Sequence, residues 1–194
     1  MSYHIYTTDG IILKRKTFGE ANVLLHVLTY DLGLIIASAQ GARLSSSKLR
    51  SALQEYTLNS ISCVKGKNGW KMTNAVEKEN FFFNYPAYSH KTLSQVGFVL
   101  LKMIPGESPH KEIFQTIKTG FEFLKFLPEK HVSDFEVLIV LRILHQLGYV
   151  ENKKDTDSFL ENNEEWNELI LEKVLKNKKN IIPIINKALK ESQL

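Results

Sequence analysis

The sequence predicts an α+β protein in which β comes first: a five-stranded barrel over residues 1–80, then an all-α helical domain over residues 81–194. Three observations predict it. Early in the chain, β-branched and aromatic residues cluster in short runs bounded by Gly, Asp and Asn. From Tyr85 onward the apolar residues recur at helical spacing, with caps and proline stops. The net charge of +4 also falls in one half only. Residues 1–80 hold ten Lys/Arg against six Asp/Glu, whereas residues 81–194 hold fifteen of each sign.

The strands are expected at Asp9–Phe18, Ala21–Tyr30, Leu34–Gln40, Tyr56–Lys65 and Trp70–Val76. Gly19, Asp31-Leu32-Gly33, Gly41 and Gly66-Lys67-Asn68-Gly69 separate them. The Asn68-Gly69 pair reaches positive φ at little cost and marks a hairpin. In the second strand Val23, Leu25 and Val27 alternate with Leu24, His26 and Leu28, so both faces are largely apolar. That suits a bent strand covered on both sides. Ser47 to Leu53 occupies the place of an irregular or helical insert before the fourth strand. Five strands with such an insert describe an OB-fold, a barrel that binds single strands through its groove and loops.

A first helix is expected from Tyr85-Pro86 to Ile104, with Leu93, Val96, Leu100 and Leu101 on its stripe, ended by Pro105-Gly106. Ser108-Pro109 reads as an N-cap followed by proline at the first helical position. Ile113, Ile117, Phe121 and Leu124 continue that helix, and Pro128 stops it. Ser133 and Glu136 form a capping-box pattern. The helix it opens, Phe135 to Leu147, is apolar almost all round and is expected to be the central one. Gly148 supplies a left-handed C-terminus. Glu151 to Asn163 reads as a polar loop. Leu169–Leu175 and Ile181–Leu189 read as two last helices, parted by Lys176-Asn177-Lys178-Lys179-Asn180.

From Leu32 to Gln54 there is no acidic residue, and Arg43, Lys48 and Arg50 lie in the loop-like part of that stretch. A cationic loop rich in Gly and Ser suits a phosphate backbone, because it neutralises phosphates and releases condensed counterions. Nucleic acid is therefore the expected partner. A basic barrel does not itself choose DNA over RNA. An OB-fold RNA-binding or translation-associated module is the alternative, and a pure interaction scaffold is a third reading. No apolar run approaches the roughly 18 residues that cross a bilayer. The N-terminus lacks the basic-then-apolar pattern of a signal peptide. A cytoplasmic, nucleoid-associated location with no membrane partner is expected. Cys63 is the only cysteine, and it reads as a small buried hydrophobe. No histidine pair has the spacing of a metal site, and there is no Gly-x-Ser-x-Gly elbow, phosphate-binding loop or dinucleotide fingerprint. His26 and His145 read as structural. No catalytic residue, metal, cofactor or small-molecule substrate is expected.

The first half resembles the RecO family of bacterial recombinational repair proteins. The resemblance is carried by Gly10-Ile11-Ile12-Leu13-Lys14, Phe18-Gly19-Glu20-Ala21, Leu24-Leu25, Leu28-Thr29, Asp31 and Gly33. It continues through Gly41-Ala42-Arg43, Ser47-Lys48-Leu49-Arg50 and Ala52-Leu53-Gln54 with Tyr56-Thr57. Phe135 to Leu147 followed by Gly148-Tyr149 resembles the family's buried helix. The resemblance implies an N-terminal OB-fold and a helical C-terminal domain. It implies binding of single- and double-stranded DNA, annealing of complementary strands, and contact with RecR and the single-strand-binding protein SSB to help load RecA. Three departures stand out. Gln40 and Leu44 flank Gly41-Ala42-Arg43 where relatives are often basic, and Asn22 replaces the usual Asp. After Tyr149, where many relatives carry a four-cysteine zinc insert, Val150 to Lys154 leads into a short polar stretch without cysteine. The chain resembles a shortened, zinc-free member.

On this reading Lys14, Arg15, Lys16, Arg43, Lys48 and Arg50 contact phosphates, and Phe18 or Tyr56 stacks on bases, with Tyr56 the better candidate for the core. Lys14 and Lys16 share a strand face that Arg15 opposes. The SSB C-terminal tail, a family-implied partner, is short, acidic and tipped with an aromatic. Lys118, Phe121 and Lys125 are its candidate site.

Overall fold

The computed structural model describes residues 4–151, 156–160 and 165–192. Five strands, β1 (Ile5–Phe18), β2 (Asn22–Thr29), β3 (Gly33–Ala39), β4 (Thr57–Gly66) and β5 (Gly69–Asn80), close into a barrel in the order β1-β2-β3-β5-β4. This is the expected OB-type barrel. Neighbours pair antiparallel except β3 and β5, which meet in parallel only at Ala37–Trp70 and Ser38–Lys71. Val23, Leu25 and Val27 of β2 fill the interior with Ile12, Ile35, Ile61 and Met72. Cys63 lies fully buried beside Met72, and loss of solvation pushes its thiol up to about 11.

The expected strands are present with longer ends. β1 starts four residues earlier than Asp9, and β5 runs on to Asn80. In the β4–β5 hairpin Gly66 pairs with Gly69, which puts Lys67-Asn68 at the tip, and Gly69 takes φ +92°. The insert before β4 is one helical turn, α1 (Leu49–Ala52). Tyr56 is buried at a φ of 59°, so its ring belongs to the core.

The helices are α2 (His90–Met103), α3 (Lys111–Leu124), α4 (Glu129–Gln146), α5 (Asp157–Leu160) and α6 (Glu168–Glu191). α4 is the central one, with Phe135, Leu138, Ile139, Leu141, Ile143 and Leu144 fully buried. Its end is a complete Schellman motif. Gly148 N–H donates to His145 O, Tyr149 N–H donates to Leu144 O, and Gly148 has φ +81°.

Four expectations about helix ends are corrected. α2 begins at His90, after a 3₁₀ turn at Ala87–Ser89. α3 begins at Lys111, two residues past Pro109. Ser133 does not cap α4. The helix starts directly after Pro128, whose ring presets the entry, and Ser133 Oγ instead accepts from Lys178 Nζ at 2.7 Å. The two last helices are one, α6, which carries Pro183 within it. The expected loop Glu151 to Asn163 includes the short α5, with Phe159 and Leu160 buried, while residues 152–155 and 161–163 lie outside the described residues.

The chain divides into two compact units. One is Met1–Asn84 with Pro105–Lys111, the other Tyr85–Ile104 with Glu112–Leu194. Among the described residues, no helix is long and apolar enough to cross a membrane.

Candidate nucleic-acid interface

β1 pairs with β4 only as far as Ile11 and with β2 from Gly10 to Phe18. Beyond Ile12 its second edge is therefore taken by something other than a strand. That partner is the segment between β3 and β4. Arg43 N–H donates to Ala21 O at 3.0 Å, Glu55 Oε1 accepts from Arg15 N–H at 2.7 Å, and Tyr56 N–H donates to Ile12 O at 2.7 Å. The end of that segment, at Glu55 and Tyr56, thus lies beside β1, and its start, at Arg43, beside the β1–β2 turn.

Two anchors fix its start. Asn22 Oδ1 accepts from Gly41 N–H at 3.0 Å, a bond that an Asp at this position would also accept. Arg43 Nη1 donates to Glu20 O at 3.0 Å and Gly19 O at 3.4 Å, which ties the segment to the β1–β2 turn. Arg43 is exposed but partly committed to holding that loop. Lys48 and Arg50 are exposed on either side of the α1 start.

Register sorts the three cations of β1. Lys14 lies opposite His26 and Lys16 opposite Leu24 on the outer face, while Arg15 lies opposite the interior residue Leu25. Lys14 and Lys16 are exposed; Arg15 is half-buried, with its Nε shielded from solvent. Phe18, 43% exposed, continues the outer row two residues beyond Lys16. Burial, and then the charge of Lys14, lower the pKa of His26 below its ordinary value.

Three ion pairs lie elsewhere on the barrel unit. Lys78 pairs with Asp9 at 2.6 Å, Lys65 with Glu107 at 2.6 Å, and Asp31 with Lys111 at 3.1 Å. Among the described residues, Lys14, Lys16, Arg43, Lys48 and Arg50 form no ion pair with a carboxylate. Asp9, Asp31 and Glu107 are engaged with other lysines, and these five cations keep no carboxylate partner among the described residues.

The sequence reading missed Phe83. It is 75% exposed at the rim of a polar groove of about 630 Å³ that also includes Arg50. The Phe81-Phe82-Phe83 run was visible, but only the fold decides that Phe81 is buried and Phe83 is not. In the helical unit, Phe121 is fully buried, so it cannot present its ring to a partner. Lys118 pairs with Glu122 at 3.4 Å, and Lys125 lies over the Phe126 and Tyr85 rings. No group of three His, Cys, Asp or Glu among the described residues could hold a metal.

A closed OB-type barrel with an unpaired cationic side, followed by a helical unit, defines the class of protein. Similarity to known proteins gives the family. A model described as the N-terminal region of recombination protein O matches residues 1–80. A DNA repair protein RecO from Heliobacterium modesticaldum is 30% identical over 148 residues, covering 75% of this chain and 52% of that protein. Those of Gloeothece citriformis and Dehalococcoides mccartyi are 32% and 30% identical, over 64% and 62% of this chain and 44% and 48% of theirs. The chain belongs to the RecO family. It spans about half the length of these curated relatives.

Proposed function

We propose that this chain acts in recombinational DNA repair, binding single- and double-stranded DNA through its barrel and annealing complementary strands. With RecR and SSB it helps to load RecA. It has no catalytic step of its own. The observation that carries this reading is the row of cations without carboxylate partners on β1 and the β3–β4 segment. Such charges keep their full attraction for phosphates, because no internal acid must first be displaced.

The test is DNA binding across a salt series. Lys16→Glu with Lys48→Glu is the informative pair, since neither side chain makes a structural hydrogen bond among the described residues, whereas Arg43 holds a loop. The pair should weaken single-strand binding and flatten the slope of log affinity against log salt by roughly 0.7 for each phosphate that is no longer neutralised. An unchanged slope places the DNA elsewhere. Competition with RNA of matched length addresses the RNA-binding alternative. Preference for RNA would favour a translation-associated module.

For the SSB tail, burial of Phe121 moves the proposal away from Lys118–Lys130. An apolar groove of about 730 Å³ between α2, α4 and α6 fits an acidic, aromatic-tipped peptide better. Phe98, Val137, Val140 and Ile185 line it, and Lys91 contributes a cation.

A further inference from the structure

We propose that the groove beside Phe83 is a base-binding site, in which one unstacked nucleobase of a DNA single strand lies on the Phe83 ring while Arg50 takes an adjoining phosphate. The inference rests on the DNA-binding reading above and deepens it. Phe83 is 75% exposed, and the turn before it builds that exposure in. Asn80, itself buried, accepts through Oδ1 from the N–H of Phe82 at 3.1 Å and of Phe83 at 2.9 Å. That turn holds the backbone so that Phe81 is fully buried and Phe83 projects outward. The Phe82 and Phe83 rings meet edge to face, with centroids 5.8 Å apart and planes at 81°. One side of the ring pair is thus fixed before any ligand arrives, which lowers the ordering cost of stacking.

The rest of the groove suits a base edge better than a phosphate. Gln54 donates its Nε2 to Arg50 O at 2.6 Å, and Asn84 donates its Nδ2 to Glu79 Oε1 at 3.0 Å. Each amide keeps its oxygen and a second N–H, so both residues can pair with a base edge. Glu77 adds a carboxylate. That carboxylate repels a phosphate and attracts N–H groups. Cytosine, adenine and guanine carry an exocyclic amine, whereas thymine has a single ring N–H. The site therefore favours an amino-bearing base over thymine. Arg50 forms no ion pair among the described residues and sits on the same helical turn as Lys48, where the cationic side meets the groove. Stacking alone tolerates any base; the Glu77 carboxylate supplies the preference.

The test uses the full chain with fluorescein-labelled oligothymidylate and the same oligomer carrying a central dC. Phe83→Ala should weaken binding of the dC oligomer by about ten-fold, the loss of one stacked base, with no change in the salt slope. It should also erase the difference between the two oligomers. Phe83→Trp should retain affinity, and its indole fluorescence should be quenched on binding. If Phe83→Ala binds both oligomers as the parent does while Lys16→Glu with Lys48→Glu loses binding, the groove proposal is overturned and the DNA reading stands. If the parent binds neither oligomer at low salt, both fall.

Discussion

His26 reports on the cationic row from within it. It lies directly across from Lys14 on the outer face, with Ile36 of β3 on its other side. Burial first, and the Lys14 charge second, hold its pKa below the ordinary 6.5. The folded chain therefore binds this proton less readily than the unfolded chain. The stability that neutral His26 contributes is present above about pH 6.5 and is lost as pH falls through the lowered folded-state value. DNA reverses the sign locally, because a phosphate on Lys14 cancels the charge that disfavours imidazolium and adds a negative one. His26 should then titrate at higher pH in the complex than in the free protein, and affinity should rise on mild acidification. Following the imidazole C–H resonances of His26 by NMR, with and without a single strand, measures both values. An identical midpoint in the two states means that phosphates do not reach Lys14.

α6 shows why some elements were legible and others were not. Its buried positions are Leu171, Val174, Ile181, Ile185 and Ala188. Between Val174 and Ile181 the stripe needs one more residue, and the sequence puts Lys178 there. Read alone, Lys176 to Asn180 is a polar break. In the fold, Lys178 Nζ reaches Asp134 Oδ1 at 2.7 Å, and Asp134 is only 3% exposed on α4. A cation on an apolar stripe is explained by a buried anion on another helix, and that pairing cannot be read from local periodicity. The same holds for Arg142, fully buried on α4. It donates to Phe159 O at 3.0 Å and Glu165 O at 2.9 Å, and it lies 4.4 Å from the Trp166 ring. Loss of solvation brings its pKa down to about 10. The barrel strands, by contrast, were legible because turn glycines and alternation are local signals. Lys178→Met should destabilise the chain by about 3 kcal/mol, since it strands the Asp134 carboxylate. Lys178→Met with Asp134→Leu should recover most of that loss. Urea denaturation of the single and double variants decides it, and a single variant as stable as the parent would mean that Asp134 is solvated.

At the scale of the whole molecule, the barrel unit is completed by a segment that local signals assign to the helices. Pro105-Gly106 read as a helix stop, and α2 does end before it, but Pro105–Lys111 belongs to the barrel unit. β3 pairs with β5 at only two positions, so the Leu34 end of its edge is open to another partner. Gly106 O fills it by accepting from Leu34 N–H at 3.0 Å, and Lys111 reaches Asp31 at 3.1 Å. The exposed ion pair adds little; close packing of backbone on backbone does more. A Cβ at Gly33 would lie 2.4 Å from Ser108 O, and Gly33 also has φ +74°. Gly69 separates the two effects, for it has φ +92° with nothing within 4 Å of its Cβ site. Gly69→Ala should cost about 1 kcal/mol from the left-handed backbone alone. Gly33→Ala should cost that and about 2 kcal/mol more, because Ser108 must move. Hydrogen exchange gives the sharper reading. Leu34 N–H should lose protection in Gly33→Ala and keep it in Gly69→Ala. Equal costs for the two variants, with Leu34 still protected in both, would mean that the segment does not close the edge of β3.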